Sequence, residues 1–297
     1  MLTERIYVQN IESAWLENNH VFLDVLRLDE LHPVVSGNKW FKLKYYLQQA
    51  ISQGYNAVAT FGGAFSNHII ATAFACKQQG LHSIGIIRGE EPDVLSHTLL
   101  YAQSLGMLLV FVSREAYKDK QNIIEQYKNE SWYFINEGGY GLQGAKGATE
   151  ILNFVHLSNY THIIASVGTG TMLAGLIMAA HANQQIIGIS SMKGNTGLEA
   201  EIIKLLPQNK QHPSFTVFHN YHFGGYAKHP APLIAFINET WKQFELPLDI
   251  VYTGKLFFAV MDLVTKSYFP KQSSLLMIHS GGLQGNRSLQ KNELSFL

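Results

Sequence analysis

Lys39 follows a glycine and an asparagine in Ser36-Gly37-Asn38-Lys39-Trp40-Phe41, and some 25 residues later Gly62-Gly63-Ala64-Phe65 runs into Ser66-Asn67-His68. The first stretch sets one amine on a Gly-Asn turn at the mouth of a helix-like segment. The second offers a hydroxyl, an amide and an imidazole in a row. A lysine amine can form a Schiff base with a carbonyl only when deprotonated, which burial or nearby positive charge promotes. Gly37 permits a close backbone approach, and Asn38 can hydrogen-bond a ligand. Lys42 and Lys44 are nearby alternatives, but both fall inside a helical pattern, where a solvated lysine is expected. Ser66 or Asn67 can cap a helix, and the same N–H groups and side chains can hold a carboxylate. Gly62 and Gly63 are expected to make room for the ligand.

Val167-Gly168-Thr169-Gly170-Thr171-Met172 follows an apolar strand and opens a helix. Its glycines let several N–H groups converge, the helix N-terminus adds partial positive charge, and Thr169 and Thr171 add hydroxyls. The loop therefore reads as an anion cradle, most simply for a phosphate; the bland alternative is a tight turn with no ligand. No Gly-Lys-Ser/Thr follows, so it is not a Walker loop, and Thr-Met-Leu after Gly170 makes a poor dinucleotide fingerprint. His279-Ser280-Gly281-Gly282 also follows an apolar run, where Ser280 could face a ring nitrogen or simply make a turn. Tyr226 and Tyr252 each lie near glycine, a weak signal alone. His219, His222 and His229 match no standard metal spacing and have no adjacent acid, which disfavours a metal site.

The elements that must position these residues alternate. Apolar runs at Ala57–Phe61, Ser83–Ile87, Leu108–Val112, Trp132–Ile135, His162–Val167, Ile186–Ser190, Ser214–His219 and Ser274–His279 suit strands buried on both faces of a parallel sheet. Helical patterns at Lys42–Gln53, Asn67–Gln79, Pro92–Leu105, Gln143–Leu157, Met172–Ala182 and Pro230–Phe244 lie between them. This alternation predicts a doubly wound α/β architecture. The glycine-rich stretch Glu137–Gly144 is the candidate domain junction.

The chain has 297 residues, room for about two domains. Lys plus Arg and Asp plus Glu are 22 each, so no basic excess points to nucleic acid or a membrane surface. Charged residues are only 15%, which suits a heavily buried protein and an oligomer. Cys76 is the one cysteine, which excludes a disulfide within the chain and disfavours a Cys-based zinc site. The N-terminal residues lack the apolar core of a signal peptide, and no run reaches a membrane span, so a reducing cytoplasm is expected.

In their order the four loops resemble the pyridoxal-phosphate enzymes of fold type II, in the branch holding 1-aminocyclopropane-1-carboxylate (ACC) deaminase and D-cysteine desulfhydrase. Ser36-Gly37-Asn38-Lys39 is similar to that family's Gly-Gly-Asn-Lys, Gly62 to His68 to its Gly-Gly-x-Gln-Ser-Asn-His, Gly168 to Met172 to its phosphate cup, and Val251 to Lys255 to its Val-Tyr-(Thr or Glu)-Gly-Lys. The resemblance spans about Leu26 to Gly285. It implies two three-layer, mostly parallel α/β domains: 1–45 with 161–297 larger and cofactor-binding, 46–160 smaller, the active site in the cleft between them. It implies pyridoxal phosphate as cofactor, a small amino acid as substrate and a homodimer. Lys39, Ser66, Tyr226 and Tyr252 would be catalytic. Lys39, Asn67, Val167 to Met172, Thr253 and Ser280 would bind the cofactor, and Ser66, Asn67 and His68 the substrate.

The resemblance leaves the reaction to a few positions. ACC deaminases carry glutamate where Thr253 stands and lack the Ser280 hydroxyl. A neutral partner leaves the pyridine nitrogen unprotonated and the ring a weaker electron sink, which suits β-elimination from D-cysteine better than opening a cyclopropane. The expectation is therefore a lyase or deaminase releasing a 2-oxo acid and ammonia. ACC deaminase, a β-replacement synthase, a racemase, a non-catalytic cofactor- or amino-acid-binding protein and a nicotinamide enzyme are alternatives. Phe65 in place of glutamine, and Trp40-Phe41 in place of a smaller, more polar pair, depart from the family pattern.

Overall fold

The strands are β1 (Val8–Ile11), β2 (Val21–Arg27), β3 (Ala57–Gly62), β4 (His82–Arg88), β5 (Met107–Val112), β6 (Tyr133–Ile135), β7 (His162–Val167), β8 (Gln185–Ser190), β9 (Phe215–Phe218) and β10 (Ser273–His279). The helices are α1 (Ala14–Asn18), α2 (Asn38–Ser52), α3 (Asn67–Gln79), α4 (His97–Ser104), α5 (Lys120–Gln126), α6 (Leu142–Thr149), α7 (Thr171–Ala179), α8 (Leu198–Ile203), α9 (Ala231–Phe244) and α10 (Thr253–Thr265). The structure is a computed structural model that describes all residues but Met1, Pro33, Val34, Ser36 and Leu297, and omits the side chains of Leu2, Thr3 and Asn129. Ser36 of the lysine motif thus lies outside the described residues. Among the described residues no helix is long and apolar enough to cross a membrane.

Contacts divide the chain into two units, Met1–Asn38 with Ala148–Leu297, and Lys39–Gly147. The first holds a six-stranded sheet in the order β1-β2-β10-β7-β8-β9, parallel except for β1. Every residue of β7 is buried, as expected of a central strand covered on both faces. Its core gathers Leu23, Ile164, Ile187, Leu256, Phe257 and Met277 from strands and from α10. The second unit holds a four-stranded parallel sheet in the order β5-β4-β3-β6. Every residue of β3 is buried, and Ile69, Ala73, Ile87 and Leu99 pack α3 and α4 on β4.

Each sheet contains one reversal of strand order. In the first unit the chain runs outward through β7, β8 and β9, then returns to place β10 on the other side of β7. In the second it runs outward through β3, β4 and β5, then returns to place β6 on the other side of β3. At such a reversal the exit loops of two adjacent strands part and leave a crevice for a ligand. The crevices lie at the carboxyl ends of β7 and β10, and of β3 and β6.

All eight strands expected from apolar runs are present within one residue at either end. β1 and β2 were not expected. Asp24 interrupts the apolar pattern of β2, but its carboxylate accepts from Asn10 of β1 and from the Tyr160 hydroxyl. Helix α2 starts four residues before its periodicity, so Lys39 sits in its first turn rather than on a loop. The segment from Pro92 is helical only from His97, where the Ser96 hydroxyl caps the Leu99 N–H. The stretch from Gln143 breaks at Thr149 into a 3₁₀ turn over Glu150–Phe154 and extended Val155. Helix α10 was not expected, and its first residues, Thr253 to Lys255, were read as part of a loop.

Candidate active site

The crevice of the second unit brings a cluster of basic groups together. Lys39 and Lys42 stand one turn apart on α2, and His68 lies in the first turn of α3 beside them. Burial pushes the Lys39 amine down to about 8. Lys42 is driven well below the ordinary lysine range by burial and by its neighbour Lys39. Lys39 is partly buried and Lys42 buried, and two amines that share a hydrogen bond do not both hold a proton. Lys42, expected in solvent, is thus buried at 3% exposure, and its Nζ reaches the Gly138 carbonyl at 3.4 Å. Lys44 does face solvent.

His68 is held in one tautomer. The Thr60 hydroxyl has a single proton and donates it to the Ile135 carbonyl at 2.8 Å, so it must accept from His68 Nε2–H, also at 2.8 Å. Nδ1 is then an acceptor, buried and without a partner. Burial and the adjacent lysine charges keep the ring neutral.

Ser66 caps α3, its Oγ accepting from Ile69 N–H at 3.4 Å. Asn67 begins the helix, and its side-chain oxygen is buried with no hydrogen-bond partner. Such orphaned acceptors are uncommon and need an explanation. The two glycines before them differ. A side chain at Gly62 would collide with Ile69 and Ser66, so that glycine serves the approach of α3 to β3 rather than a ligand, contrary to expectation. Gly63 meets only Arg88, at 3.7 Å, and borders open space. Phe65 is half exposed.

In the first unit, Gly168 and Gly170 shape the loop between β7 and α7. Gly170 has φ +81, and a side chain there would strike Ile202 of α8. A side chain at Gly168 would meet the Tyr252 hydroxyl at 3.4 Å. The Thr169 and Thr171 hydroxyls pair at 3.0 Å at the helix start. Asn38 ties this loop to the one after β10. Its N–H donates to the Ser280 carbonyl at 3.2 Å, and its amide nitrogen reaches Met172 Sδ at 3.1 Å. Gly37, at φ +81, passes so close to Ser280 that any side chain would overlap that carbonyl. Ser280 itself pairs with Ser166, Oγ to Oγ 3.2 Å.

Asp249 organises the start of α10. Its carboxylate accepts from the N–H groups of Val251, Tyr252 and Thr253 and from the Thr253 hydroxyl, all at 2.7–2.8 Å. Thr253 Oγ1 accepts in return from the Asp249 N–H at 2.7 Å. The one proton of the Thr253 hydroxyl is therefore committed to Asp249. Lys255, fully buried and pushed down to about 8 by that burial, donates to the Gly225 carbonyl at 2.7 Å. This bond holds the Gly224-Gly225-Tyr226 turn, and the rings of Tyr226 and Tyr252 meet edge to face at 5.9 Å.

Sequence reasoning named Lys42 only as an alternative expected in solvent, and missed Thr60, Ser166 and Asp249. It also missed Arg27 and Asp29, a buried pair at 2.6 Å whose acid contacts His279 Nδ1 at 3.0 Å and so braces the end of β10. A buried polar group must find a partner, but nothing along the chain says which one. Of the three histidines, His219 pairs with Glu199 at 2.7 Å, an acid 20 residues away rather than adjacent. His222 accepts from the Gly224 N–H, and His229 reaches the Ala227 carbonyl.

Residues 20–281 match the family described as pyridoxal-phosphate dependent enzyme. A Thermotoga maritima protein, named as a candidate 1-aminocyclopropane-1-carboxylate deaminase, is 30% identical over 291 residues, covering 91% of this chain and 92% of its own. The D-cysteine desulfhydrase of Serratia proteamaculans is 25% identical over 288 residues, 86% of either chain. A crystal structure of an ACC deaminase homologue superposes with a TM-score of 0.81 at 26% identity, over 95% of this chain and 90% of the other.

Proposed function

Because the chain belongs to the pyridoxal-phosphate-dependent enzymes, in the group with ACC deaminase and D-cysteine desulfhydrase, we propose that it is a lyase that releases a 2-oxo acid and ammonia from a small amino acid by β-elimination, as from D-cysteine. The residues present suit the cofactor. There is a glycine-lined helix start with two hydroxyls for a phosphate, an amine that loses its proton readily, and an unpartnered Asn67 oxygen beside the start of α3. Pyridoxal phosphate, when bound, supplies a carbonyl for the substrate amine and a ring that draws electrons from the adjacent carbon.

Lys39 would hold the cofactor carbonyl at rest. With the substrate amine in its place, Lys39 takes the α-proton, for which an amine titrating near 8 is well matched. This shifted amine is the observation that carries the proposal. Lys42 shares a hydrogen bond with Lys39 that partly offsets the effect of burial on it. Ser66 and the first N–H groups of α3 hold the substrate carboxylate, and neutral His68 keeps a second cation out of that turn. Val167 to Met172 receive the phosphate. Tyr252, against Gly168, and Tyr226 close the substrate face.

Elimination is favoured because Ser280 and Thr253 present hydroxyls where the family resemblance sets the ring nitrogen. Thr253 gives its proton to Asp249, which leaves Ser280 as the donor. ACC deamination is the second reading, favoured by the name of the 30% identical relative. A homodimer is part of the proposal, tested by light scattering.

The deciding experiment gives the cofactor-loaded protein D-cysteine, L-cysteine and ACC side by side. Pyruvate, ammonia and sulfide from D-cysteine are expected. 2-Oxobutanoate from ACC would establish the second reading, and no 2-oxo acid from any of them would overturn both.

A further inference from the structure

Strand order places the ends of β5, β4 and β3 side by side. Gly63 and Phe65 follow β3, Arg88 closes β4, and Arg114 comes two residues after β5. With Lys118 and Lys120 they line a cavity of about 690 Å³ that contains four cationic side chains and one acid, Glu137. Glu137 is matched by Lys120 at 3.1 Å, and Lys118 by Glu115 at 2.6 Å. Among the described residues Arg88 and Arg114 have no carboxylate partner.

Tyr117 lies under the cluster. The Lys120 ammonium stands 4.6 Å and the Arg88 guanidinium 5.8 Å from its ring centre, so one aromatic ring gathers two cations. Its hydroxyl is buried without a hydrogen-bond partner of good geometry. Burial and the neighbouring Glu137 carboxylate keep that hydroxyl protonated. Cations converging on one hollow repel each other until an anion enters.

The cavity adjoins the proposed chemistry through two loops of the same unit. Phe65 on its rim is followed at once by Ser66 and Asn67. Glu137 is followed by Gly138, whose carbonyl takes Lys42, and by Gly139, where a side chain would press on Lys42 and His68. A D-cysteine side chain ends in one sulfur atom and would leave these cations facing water.

We propose that this cavity receives a second anionic group of the substrate, so that the amino acid acted on carries a carboxylate or phosphate on its β-substituent as well as its α-carboxylate. The inference rests on the elimination reading and narrows it. With a β-phosphate, Lys39 takes the α-proton and the Cβ–O bond breaks. Its electron pair leaves on inorganic phosphate. One water then hydrolyses the unsaturated amine to 2-oxo acid and ammonia.

The test compares O-succinylserine with O-acetylserine, which differ by one carboxymethyl group, and adds O-phosphoserine, each as both enantiomers. The proteins are the cofactor-loaded wild type and the double variant Arg88→Gln, Arg114→Gln. In the wild type, kcat/KM for the anionic substrates should exceed that for O-acetylserine by about tenfold or more, and the double variant should lose most of that ratio. The ratio should also fall as salt rises. A ratio near one in both proteins, with D-cysteine still turned over, overturns the inference and leaves elimination standing. Inorganic phosphate binding, followed by calorimetry, needs no turnover. Binding unchanged by the substitutions overturns the inference. Binding weakened tenfold, with no amino acid turned over, keeps the cavity as an anion site and overturns the elimination reading instead.

Discussion

The hydroxyls of Ser166 and Ser280 stand 3.2 Å apart at the carboxyl ends of β7 and β10, although 114 residues separate them. The return of β10 to the side of β7 brings them together. If Ser280 donates to the cofactor ring and Ser166 orients it, Ser280→Ala should lower kcat more than Ser166→Ala. One neutral hydrogen bond is worth about 1 kcal/mol, or roughly fivefold in rate. Ser166→Ala should cost about that and Ser280→Ala more, with KM little changed in either. Equal effects of both on KM alone would remove Ser280 from the reaction.

Lys42 raises the affinity of Lys39 for its proton by hydrogen bonding to it. Lys42→Met should therefore lower the Lys39 pKa and move the acid limb of the pH dependence of kcat/KM to lower pH. Lys39→Ala should abolish turnover and the absorption band of the lysine-bound cofactor. A limb that moves upward in Lys42→Met would mean that Lys42 acts as a charge rather than as an acceptor.

The stability of the cofactor-free protein should rise with pH between about 8 and 9.5. Lys39 and Lys255 hold their protons only to about 8 in the folded chain but to 10.5 when unfolded, so over that window the unfolded state binds more protons. Below about 8 the cost of burying these groups is present in full. His68, kept neutral, acts in the same direction at lower pH, so stability should fall as pH drops through the ordinary histidine range. Tyr46, pushed up to about 12 by burial, reverses the trend above pH 10. Thermal midpoints across pH 5 to 11 check the sign of each segment.

Gly37 and Gly54 share a φ of +81, but only Gly37 has a backbone carbonyl where a side chain would go. Gly54→Ala should cost about 1 kcal/mol, the price of left-handed backbone alone. Gly37→Ala should cost about 3 kcal/mol or more, since the Ser280 loop must move. It should also weaken cofactor binding. Denaturant midpoints of the two variants make the comparison.

Lys255→Met removes the donor that holds the Gly225 carbonyl, and with it the turn carrying Tyr226. KM should rise several-fold and kcat should fall less, since Tyr226 would be misplaced rather than lost. A change in kcat alone would place Lys255 closer to the chemistry than the turn it holds.

Eight strands and helix α3 were legible along the chain; for β3, β4, β7, β8 and β10 the reason is that a strand covered on both faces is a continuous apolar run whatever its neighbours are. The turns at Gly37 and Gly170 and the Ser66 cap of α3 were legible because positive φ and helix capping are local demands. Helix α10 was not, since its capping acid, Asp249, lies four residues before the helix starts and Val251 to Lys255 was read as a loop. Lys42 was taken for a solvated lysine, because helical periodicity does not reveal that the covering wall is the Gly138–Gly139 turn.

The sequence by itself determined which loops leave the strands and which residue types they carry, because backbone conformation and apolar periodicity act within a few residues. Only the tertiary structure decided strand order. That order set Ser166 against Ser280, put His68 and two lysines in one dry crevice, and lined up the ends of β3, β4 and β5 so that Arg88 and Arg114 face one cavity. Dielectric and charge depend on neighbours in space, and those neighbours are fixed by which strands pair, not by distance along the chain.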